Sequence, residues 1–348
     1  MLLQGIFPPI TTPFYPDGSV YYKKLEHNVD RYSRTPVAGI VVLGSTGEAI
    51  LLSDQERRDV LKCAREFAAP EKVLVAGTGI ESAIETLRLT EYAAELGYDV
   101  AMVRTPHYYK RQMQPANILA FYRTVADRSP LPVVIYNFPQ ATGYDIPVEV
   151  MTELADHPNL IAIKESSGVV EKVKKEVDRT RHVKRAATVT EIFNAVTPRM
   201  MKASAAAGGN GDLVPVGSVG GTAVQSPPQI KTRSKEVGFQ VLVGSAQTLK
   251  DSLDVGAVGA ILAFACAAPT ACFEIYAAWK EGDAKLALEK QQRIVQAATK
   301  VVGEFGVPGV KHAMDLNGYY GGPSRLPFLP LTAGVTQEIE KLMAEIRN

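Results

Sequence analysis

The chain of 348 residues has few cysteines and almost no excess of charge of one sign. Its three cysteines, Cys63, Cys266 and Cys272, have neither the spacing of a metal site nor that of a disulfide framework. The five histidines are scattered, so we predict no metal. A net charge of +1 without a basic stripe argues against a nucleic-acid partner and against an anionic membrane surface.

Long hydrophobic runs are also scarce. The first residues, MLLQGIFPPITTPF, lack the basic start and the long apolar core of a signal peptide. Residues 255–273 carry no charge over a length that approaches a membrane span, but Gly256, Gly259 and Pro269 favour a buried strand followed by a helix start. We therefore predict no membrane association and, by default, a cytoplasmic location.

Short β-branched runs alternate with longer amphipathic runs along the chain. This alternation is typical of a parallel sheet, and eight such units predict an α/β fold, the closed (β/α)8 or TIM barrel. An open doubly wound sheet is the alternative, but GIFPPITTPF lacks the glycine fingerprint that such a sheet needs after its first strand. The predicted strands are Gly5–Thr11, Gly39–Leu43, Val73–Ala76, Val100–Val103, Val133–Asn137, Leu160–Lys164, Gln240–Val243 and Val258–Leu262.

Residues 1–270 are expected to form the barrel, and residues 271–348 a C-terminal helical extension with helices within 271–304 and 332–347. A segment at about 182–237 interrupts the alternation between the sixth helix and the seventh strand. Its glycine-rich middle is typical of a flexible surface insertion, and a contact with another subunit or a partner is the alternative. A helix-to-strand connection lies at the N-terminal face of a barrel, opposite the active site.

Polar residues stand where four of the predicted strands end. Ser45 and Thr46 follow the second strand, Tyr108 follows the fourth, Tyr136 lies near the end of the fifth and Lys164 ends the sixth. Barrel enzymes carry their active sites at the carboxyl ends of the strands. We therefore expect these side chains to converge on one rim.

Lys164 should point into the barrel. Side chains alternate along a strand, so Lys164 shares a face with Ala162, while the large aliphatic Ile161 and Ile163 suit the layer beneath the outer helices. An enclosed amine loses solvation, which disfavours its charged form, and a neutral amine attacks carbonyls to give a Schiff base. The alternative is a buried stem whose ammonium reaches solvent or pairs with Glu165.

Tyr136 faces inward by the same alternation, at the end of the adjacent strand. Its hydroxyl can serve the proton transfers that carbinolamine formation and retro-aldol cleavage need, with Ser45 and Tyr108 linking it to solvent. A core tyrosine with a satisfied hydroxyl is the alternative. The turn GSTGE at 44–48 offers backbone N–H groups to a carboxylate or a phosphate, although turns of this composition are common.

Together these motifs resemble the dihydrodipicolinate synthase / N-acetylneuraminate lyase family of pyruvate-dependent class I aldolases. The resemblance covers the chain apart from the insertion, and the motifs occur in family order. They are GIFPPITTPF near the start, GSTGE at 44–48, TPHYYK at 105–110, YNFPQATG at 136–143, IKESSG at 163–168 and VLVGSAQT at 241–248.

The resemblance implies a covalent Schiff base on Lys164, formed with pyruvate and needing no cofactor. Tyr136 matches the proton-relay tyrosine, Ser45 a relay hydroxyl, and Tyr108 a relay tyrosine that the family donates across a dimer interface. A homo-oligomer built as a dimer of dimers is therefore expected. The predicted substrate-binding residues are Gly44, Thr46, Ser166, Gly244 and Ile261. Of these, the resemblance matches Thr46 to the position that binds the keto-acid carboxylate, and Gly244 and Ile261 to positions that line the pyruvate pocket.

Departures from the family pattern narrow the substrate. Dihydrodipicolinate synthases usually have an arginine where Gln140, Ala141 and Thr142 stand here, and sialic acid lyases have acidic residues where GSAQT has none. FQVLVGSA, GAVGAILA and FGVPGVKHAMDLNGYYGGPSRLP resemble the 4-hydroxy-2-oxoglutarate aldolase branch. The prediction is cleavage of a 4-hydroxy-2-oxo acid to pyruvate and an aldehyde, with glyoxylate as a candidate.

Three alternatives to this function stay open. They are a dihydrodipicolinate synthase-like condensation, a 2-keto-3-deoxy sugar acid aldolase, which PQATG resembles, and a non-catalytic 2-oxo acid sensor. Ser166 is also open to two interpretations, because it can contact the distal end of a substrate or cap the helix predicted near 169–181.

Overall fold

The computed structural model of the protein describes residues 1–209 and 230–346. Its central sheet has eight parallel strands. Backbone hydrogen bonds close this sheet into a barrel, because the Val41 N–H donates to the Pro8 carbonyl at 3.0 Å and the Ile10 N–H donates to the Val41 carbonyl at 2.9 Å. The prediction of a (β/α)8 barrel is therefore confirmed.

The strands of the barrel pair in an order that follows the chain around the ring. Hydrogen-bonded neighbours run β1-β10-β9-β6-β5-β4-β3-β2, and β7 pairs with β8 outside the barrel. Their bounds are β1 (Gly5–Phe7), β2 (Gly39–Val42), β3 (Val73–Gly77), β4 (Val100–Arg104), β5 (Val133–Asn137), β6 (Leu160–Glu165), β7 (Arg185–Thr190), β8 (Thr232–Val237), β9 (Gln240–Val243) and β10 (Gly259–Ile261).

Helices surround the barrel and continue beyond its last strand. The second begins with a capping box in which the Ser53 hydroxyl accepts from the Glu56 N–H at 3.2 Å and the Glu56 carboxylate accepts from the Ser53 N–H at 2.8 Å. The helices are α1 (Tyr22–Ser33), α2 (Asp54–Phe67), α3 (Ala83–Leu96), α4 (Pro115–Arg128), α5 (Pro139–Thr142), α6 (Val148–Ala155), α7 (Val170–Arg179), α8 (Pro198–Gly209), α9 (Leu249–Asp254), α10 (Pro269–Lys280), α11 (Ala284–Ala298), α12 (Gly306–Leu316) and α13 (Ala333–Met343).

The C-terminal extension holds one helix more than its sequence predicts. A π-helical turn, Thr299–Glu304, follows α11, and α12 then begins at Gly306. The sequence GVPG at this start has a low helix propensity, which explains why α12 was not predicted. Within the described ranges, no helix has both the length and the apolar character that a membrane span requires.

The pairing of β6 with β5 skips one residue, Ile161. This β-bulge turns Ile161 into the interior apolar cluster, beside Ala162, so the prediction that it faces the outer helices is wrong. Beyond the bulge the alternation resumes. Ile163 packs in the outer layer, and Lys164 points into the barrel as predicted.

The inserted segment covers the amino end of the barrel. The Arg199 guanidinium donates to the carbonyl of Ala69 at 3.2 Å and pairs with Asp99 at 3.3 Å, and Arg185 donates to the carbonyl of Leu160 at 2.7 Å. These partners lie just before β3, before β4 and at the start of β6. The segment therefore lies opposite the strand ends that carry the predicted site.

Part of the inserted segment forms regular secondary structure and is not a flexible loop. The strands β7 and β8 form an antiparallel pair, and α8 lies between them in the chain. Most of the glycine-rich middle, residues 210–229, lies outside the described ranges, so the prediction made for it is not addressed by the structure.

Candidate active site

Lys164 and Tyr136 lie side by side at the carboxyl end of the barrel. They occupy paired positions of β6 and β5, and both are almost completely buried, with 5% and 4% of their surface exposed. The Lys164 Nζ atom lies 3.9 Å from the centre of the Tyr136 ring. This contact places a buried amine against a phenol, which is the juxtaposition that the sequence predicts.

A second hydroxyl lies next to Tyr136. The Ser45 Oγ and Tyr136 Oη atoms are 3.4 Å apart, within hydrogen-bonding distance. Ser45 begins a short 3₁₀ turn directly after β2, and its side chain is exposed, whereas Tyr136 is buried. The pair therefore forms a path from the interior of the barrel toward solvent, along which a proton can move.

A cavity of about 470 Å³ opens over these groups. The turn after β2 provides Thr46 and the strand β10 provides Ile261. Gly44 instead lines a smaller adjoining cavity of about 30 Å³. The predicted site residues that line the larger cavity are Ser45, Thr46, Tyr136, Lys164, Ser166, Gly244 and Ile261.

Ser166 and Gly244 fit against each other at the wall of this cavity. A methyl group added to Gly244 would overlap the Ser166 Oγ atom and would come within 2.8 Å of the Ser166 Cβ atom. The Ser166 hydroxyl is buried and has no hydrogen-bond partner among the described residues. The N-cap of α7 is Val169, without a side-chain cap, so the alternative of Ser166 as a helix cap is wrong.

Tyr108 does not reach the cavity in a single chain. Its side chain is 74% exposed, and its backbone N–H donates to the Glu81 carboxylate at 3.0 Å. The ring packs edge-to-face on that of Tyr109, which is also exposed. A relay role for Tyr108 therefore requires a second subunit, in line with what the family resemblance implies.

Arg104 and His107 also line the cavity, and neither was among the residues predicted to form the site. Arg104 ends β4 beside Tyr136, and its Nη1 atom lies 2.9 Å from Glu81 Oε1 and 2.5 Å from His107 Nδ1. Burial, and then the neighbouring guanidinium, lower the pKa of His107, against the opposite effect of Glu81. The strand-end position of Arg104 was the signal that could have identified it.

A buried ion pair supports the turn that carries Thr46. Glu48 follows that turn, and its Oε1 atom lies 2.5 Å from the Nζ atom of Lys311 on α12, which is only 1% exposed. Burial lowers the pKa of Lys311, but the ammonium also donates to the carbonyls of Thr12 and Pro323, both at 2.9 Å. The C-terminal extension is therefore tied directly to the site.

The fold and this site define a barrel enzyme of the lyase class. The chain belongs to the dihydrodipicolinate synthetase family, whose model matches residues 2–213 and 216–346. The family prediction made from the sequence motifs is thus confirmed.

Its relatives include synthases and pyruvate complexes. The chain is 28% identical to the 4-hydroxy-tetrahydrodipicolinate synthase of Methanothrix thermoacetophila, over 95% of this chain and 92% of that protein. It is 29% identical to that of Methanococcoides burtonii, over 99% and 97%. A prophage protein of the dihydrodipicolinic acid synthase family from E. coli K12, in complex with pyruvate, has a TM-score of 0.77 and 26% identity, with 99% of each chain covered.

A chloride-inhibited dihydrodipicolinate synthase from Acinetobacter baumannii, complexed with pyruvate, is similarly close in structure. Its TM-score is 0.78 with 26% identity, and 99% of each chain is covered. None of these relatives is named as a 4-hydroxy-2-oxoglutarate aldolase, so the branch within the family is not confirmed.

Proposed function

We propose that this protein is a Schiff-base-forming aldolase that acts on pyruvate and an aldehyde, with condensation as the main direction. The observation that carries the proposal is the buried amine of Lys164 against Tyr136, at the floor of a cavity. The names of the synthase relatives support condensation over cleavage.

The reaction begins when the Lys164 amine attacks the C2 carbonyl of pyruvate. The carbinolamine loses water to give an iminium ion, which acts as the electron sink and allows a proton to leave C3. The resulting enamine attacks the aldehyde carbon through C3, and the aldehyde oxygen takes up a proton. Water then releases the 4-hydroxy-2-oxo acid and regenerates the amine. No step in this sequence needs a metal or a cofactor.

The neighbouring groups have separate roles in this scheme. Tyr136 moves the protons of carbinolamine formation and dehydration, and Ser45 passes them toward solvent. Thr46 and the backbone N–H groups of its turn bind the pyruvate carboxylate. Tyr108 extends the relay from the second subunit of a dimer, within an assembly of two such dimers.

Cleavage of a 4-hydroxy-2-oxo acid, such as 4-hydroxy-2-oxoglutarate, is the second candidate. It is the same chemistry in reverse. The observation that favours it is the absence of a cation at Gln140, Ala141 and Thr142, where dihydrodipicolinate synthases usually hold their second substrate. Ala141 and Thr142 both line the cavity.

Trapping of the covalent intermediate tests the proposal. Borohydride added with pyruvate should reduce the iminium and leave a pyruvyl-derived mass on the peptide that contains Lys164, in the presence or absence of a chelator. A variant of an exposed lysine, Lys174→Ala, serves as the matched control and should be labelled equally. No adduct, or an adduct on another lysine, would rule out the mechanism and favour the 2-oxo acid sensor.

A further inference from the structure

The cavity over Lys164 has two chemically different sides. The strand ends contribute the amine, the phenol and the hydroxyl groups described above. The C-terminal extension contributes six residues, and none of them has a side chain that can form a hydrogen bond. This extension wall consists of Val302, Gly306, Val307, Val310, Pro327 and Phe328.

The charged groups that line the cavity, apart from the reacting amine, already have partners. Arg104 is paired with Glu81, and Glu48 is paired with Lys311. His107 also lies beside Glu81, with 2.5 Å between its Nδ1 atom and the Oε1 atom of that carboxylate, and burial lowers the pKa of the imidazole. A second carboxylate entering this cavity would lose its hydration and would have to compete with Glu81 for the guanidinium of Arg104, which is unfavourable.

An aldehyde substrate that carries a row of hydroxyl groups would be equally poorly matched to the extension wall. Each hydroxyl needs a donor or an acceptor when it leaves water, and the wall provides only aliphatic and aromatic surface. Phe138, which stacks on Tyr136 with ring centres 5.8 Å apart, adds an aromatic side chain to the strand-end side of the cavity.

The size of the cavity points in the same direction. Its volume of about 470 Å³ is within the range of roughly 300–1,000 Å³ that holds drug-sized ligands. Pyruvate with a two-carbon aldehyde such as glyoxylate would leave much of this space empty. An aldehyde with a longer chain would fill it and would remove apolar surface of both partners from water.

We infer that the aldehyde partner of this enzyme carries an apolar aliphatic or aromatic chain, in place of a second carboxylate or a row of hydroxyl groups. The inference rests on the proposed function. The enamine formed on Lys164 attacks the aldehyde carbon, the aldehyde oxygen becomes the 4-hydroxyl group, and hydrolysis of the imine releases a 2-oxo acid. The apolar chain remains attached to C4 and lies on the extension wall.

A series of straight-chain aldehydes from acetaldehyde to hexanal, with benzaldehyde and glyoxylate, tests this inference on the unmodified protein. Formation of the 2-oxo acid product is measured with pyruvate held constant. The value of kcat/KM should rise about fourfold for each added methylene group until the cavity is full, and glyoxylate should be among the poorest substrates. A preference of tenfold or more for glyoxylate or aspartate semialdehyde would overturn the inference.

A charge placed on the extension wall should reverse the selectivity. In Val307→Arg, the ratio of kcat/KM for glyoxylate to that for hexanal should rise by at least tenfold, because the guanidinium offers the missing cation. Phe328→Arg is a second variant with the same expected direction, and its site tolerates a charge because the side chain is 38% exposed. The matched control is Ile84→Arg on α3, where the residue is 61% exposed and does not line the cavity.

The outcomes separate this inference from the proposed function. A borohydride adduct on Lys164 without any preference for apolar aldehydes would leave the Schiff-base function standing and overturn the inference alone. Absence of the adduct would overturn both. If the ratio of kcat/KM for glyoxylate to that for hexanal changed equally in Ile84→Arg and Val307→Arg, the extension wall would not be what selects the aldehyde.

Discussion

The two ends of the barrel place different chemical groups at opposite ends of the same strands. At the amino end, the guanidinium of Arg199 from the insertion donates to three backbone carbonyls and pairs with the carboxylate of Asp99. At the carboxyl end, the buried hydroxyl of Ser166 has no partner within residues 1–209 and 230–346, and Lys164 has the face of an aromatic ring beside its amine. The buried cation that stabilises the fold therefore lies beside a carboxylate, whereas the buried amine at the reactive end lies against an aromatic ring.

Removing the amine should have the largest effect at the reactive end. In Lys164→Ala, kcat/KM should fall by at least about a thousandfold, because every later step depends on the covalent intermediate. Steady-state kinetics with pyruvate and hexanal measure the loss, and a thermal melt should show a folded protein. Activity within about tenfold of the parent enzyme would mean that another nucleophile is used.

Removing one hydroxyl should have the next largest effect. Tyr136→Phe keeps the ring against Lys164 but removes the proton carrier, so turnover should drop by roughly a hundredfold or more. Pyruvate should still bind, which slow formation of the borohydride adduct would reveal. Unchanged kcat in this variant would show that the proton moves by another route.

A substitution at the amino end of the barrel should lower the stability of the fold without changing the rate of catalysis. Arg199→Met leaves Asp99 as a buried charge without its partner, which should lower the free energy of unfolding by about 3–5 kcal/mol. The value of kcat at 25 °C should not change. Denaturant unfolding and kinetics on the same sample measure the two effects.

Its control is the double variant Arg199→Met with Asp99→Asn. The amide can still accept from the Leu74 N–H, which donates to Asp99 at 2.8 Å in the parent protein, and no unpaired charge remains. The double variant should therefore recover much of the lost stability. If a folded Arg199→Met protein lost kcat, the two ends would be coupled and the comparison between them would fail.

The smallest expected effect concerns the pH dependence of stability beside the site. Burial, and then the negative charge of Glu165, raise the pKa of Glu176 well above its ordinary value. Because the folded state holds this proton more tightly than the unfolded state, the contribution to stability is fully present below about pH 4.5 and is lost as the pH rises toward the folded pKa.

Glu176→Gln should remove this loss. The melting temperature of the variant should fall less between pH 5 and pH 8 than that of the parent protein. Glu171→Gln, at an exposed position of the same helix α7, is the matched control and should keep the parent's pH dependence. Identical curves for all three proteins would show that Glu176 is ionised in the folded state.

Features that depend on short stretches of chain could be predicted from the sequence. The alternation along a strand is a local property, and it placed Lys164 and Tyr136 on the inward face of neighbouring strands. The same reasoning failed at Ile161, because a bulge depends on how two strands pair and leaves no mark in either strand alone.

Features that join distant parts of the chain could not be predicted. Glu48 and Lys311 are 263 positions apart, and the sequence around either residue does not indicate that they form an ion pair. The insertion was expected to be a flexible loop because its composition is rich in glycine, but β7 pairs with β8 across more than forty intervening residues. Tyr108 belongs to the same class, since its expected role depends on a second chain.

The contact between Gly244 and Ser166 has a consequence for how this enzyme can evolve. A side chain at position 244 would overlap the side chain of Ser166. Gly244 therefore cannot be replaced without a steric clash as long as serine occupies position 166. If Ser166 is replaced by glycine first, the space is free and a later substitution of Gly244 is tolerated. Descendants that remodel this part of the pocket should therefore show paired replacements at the two positions, acquired with position 166 ahead of position 244.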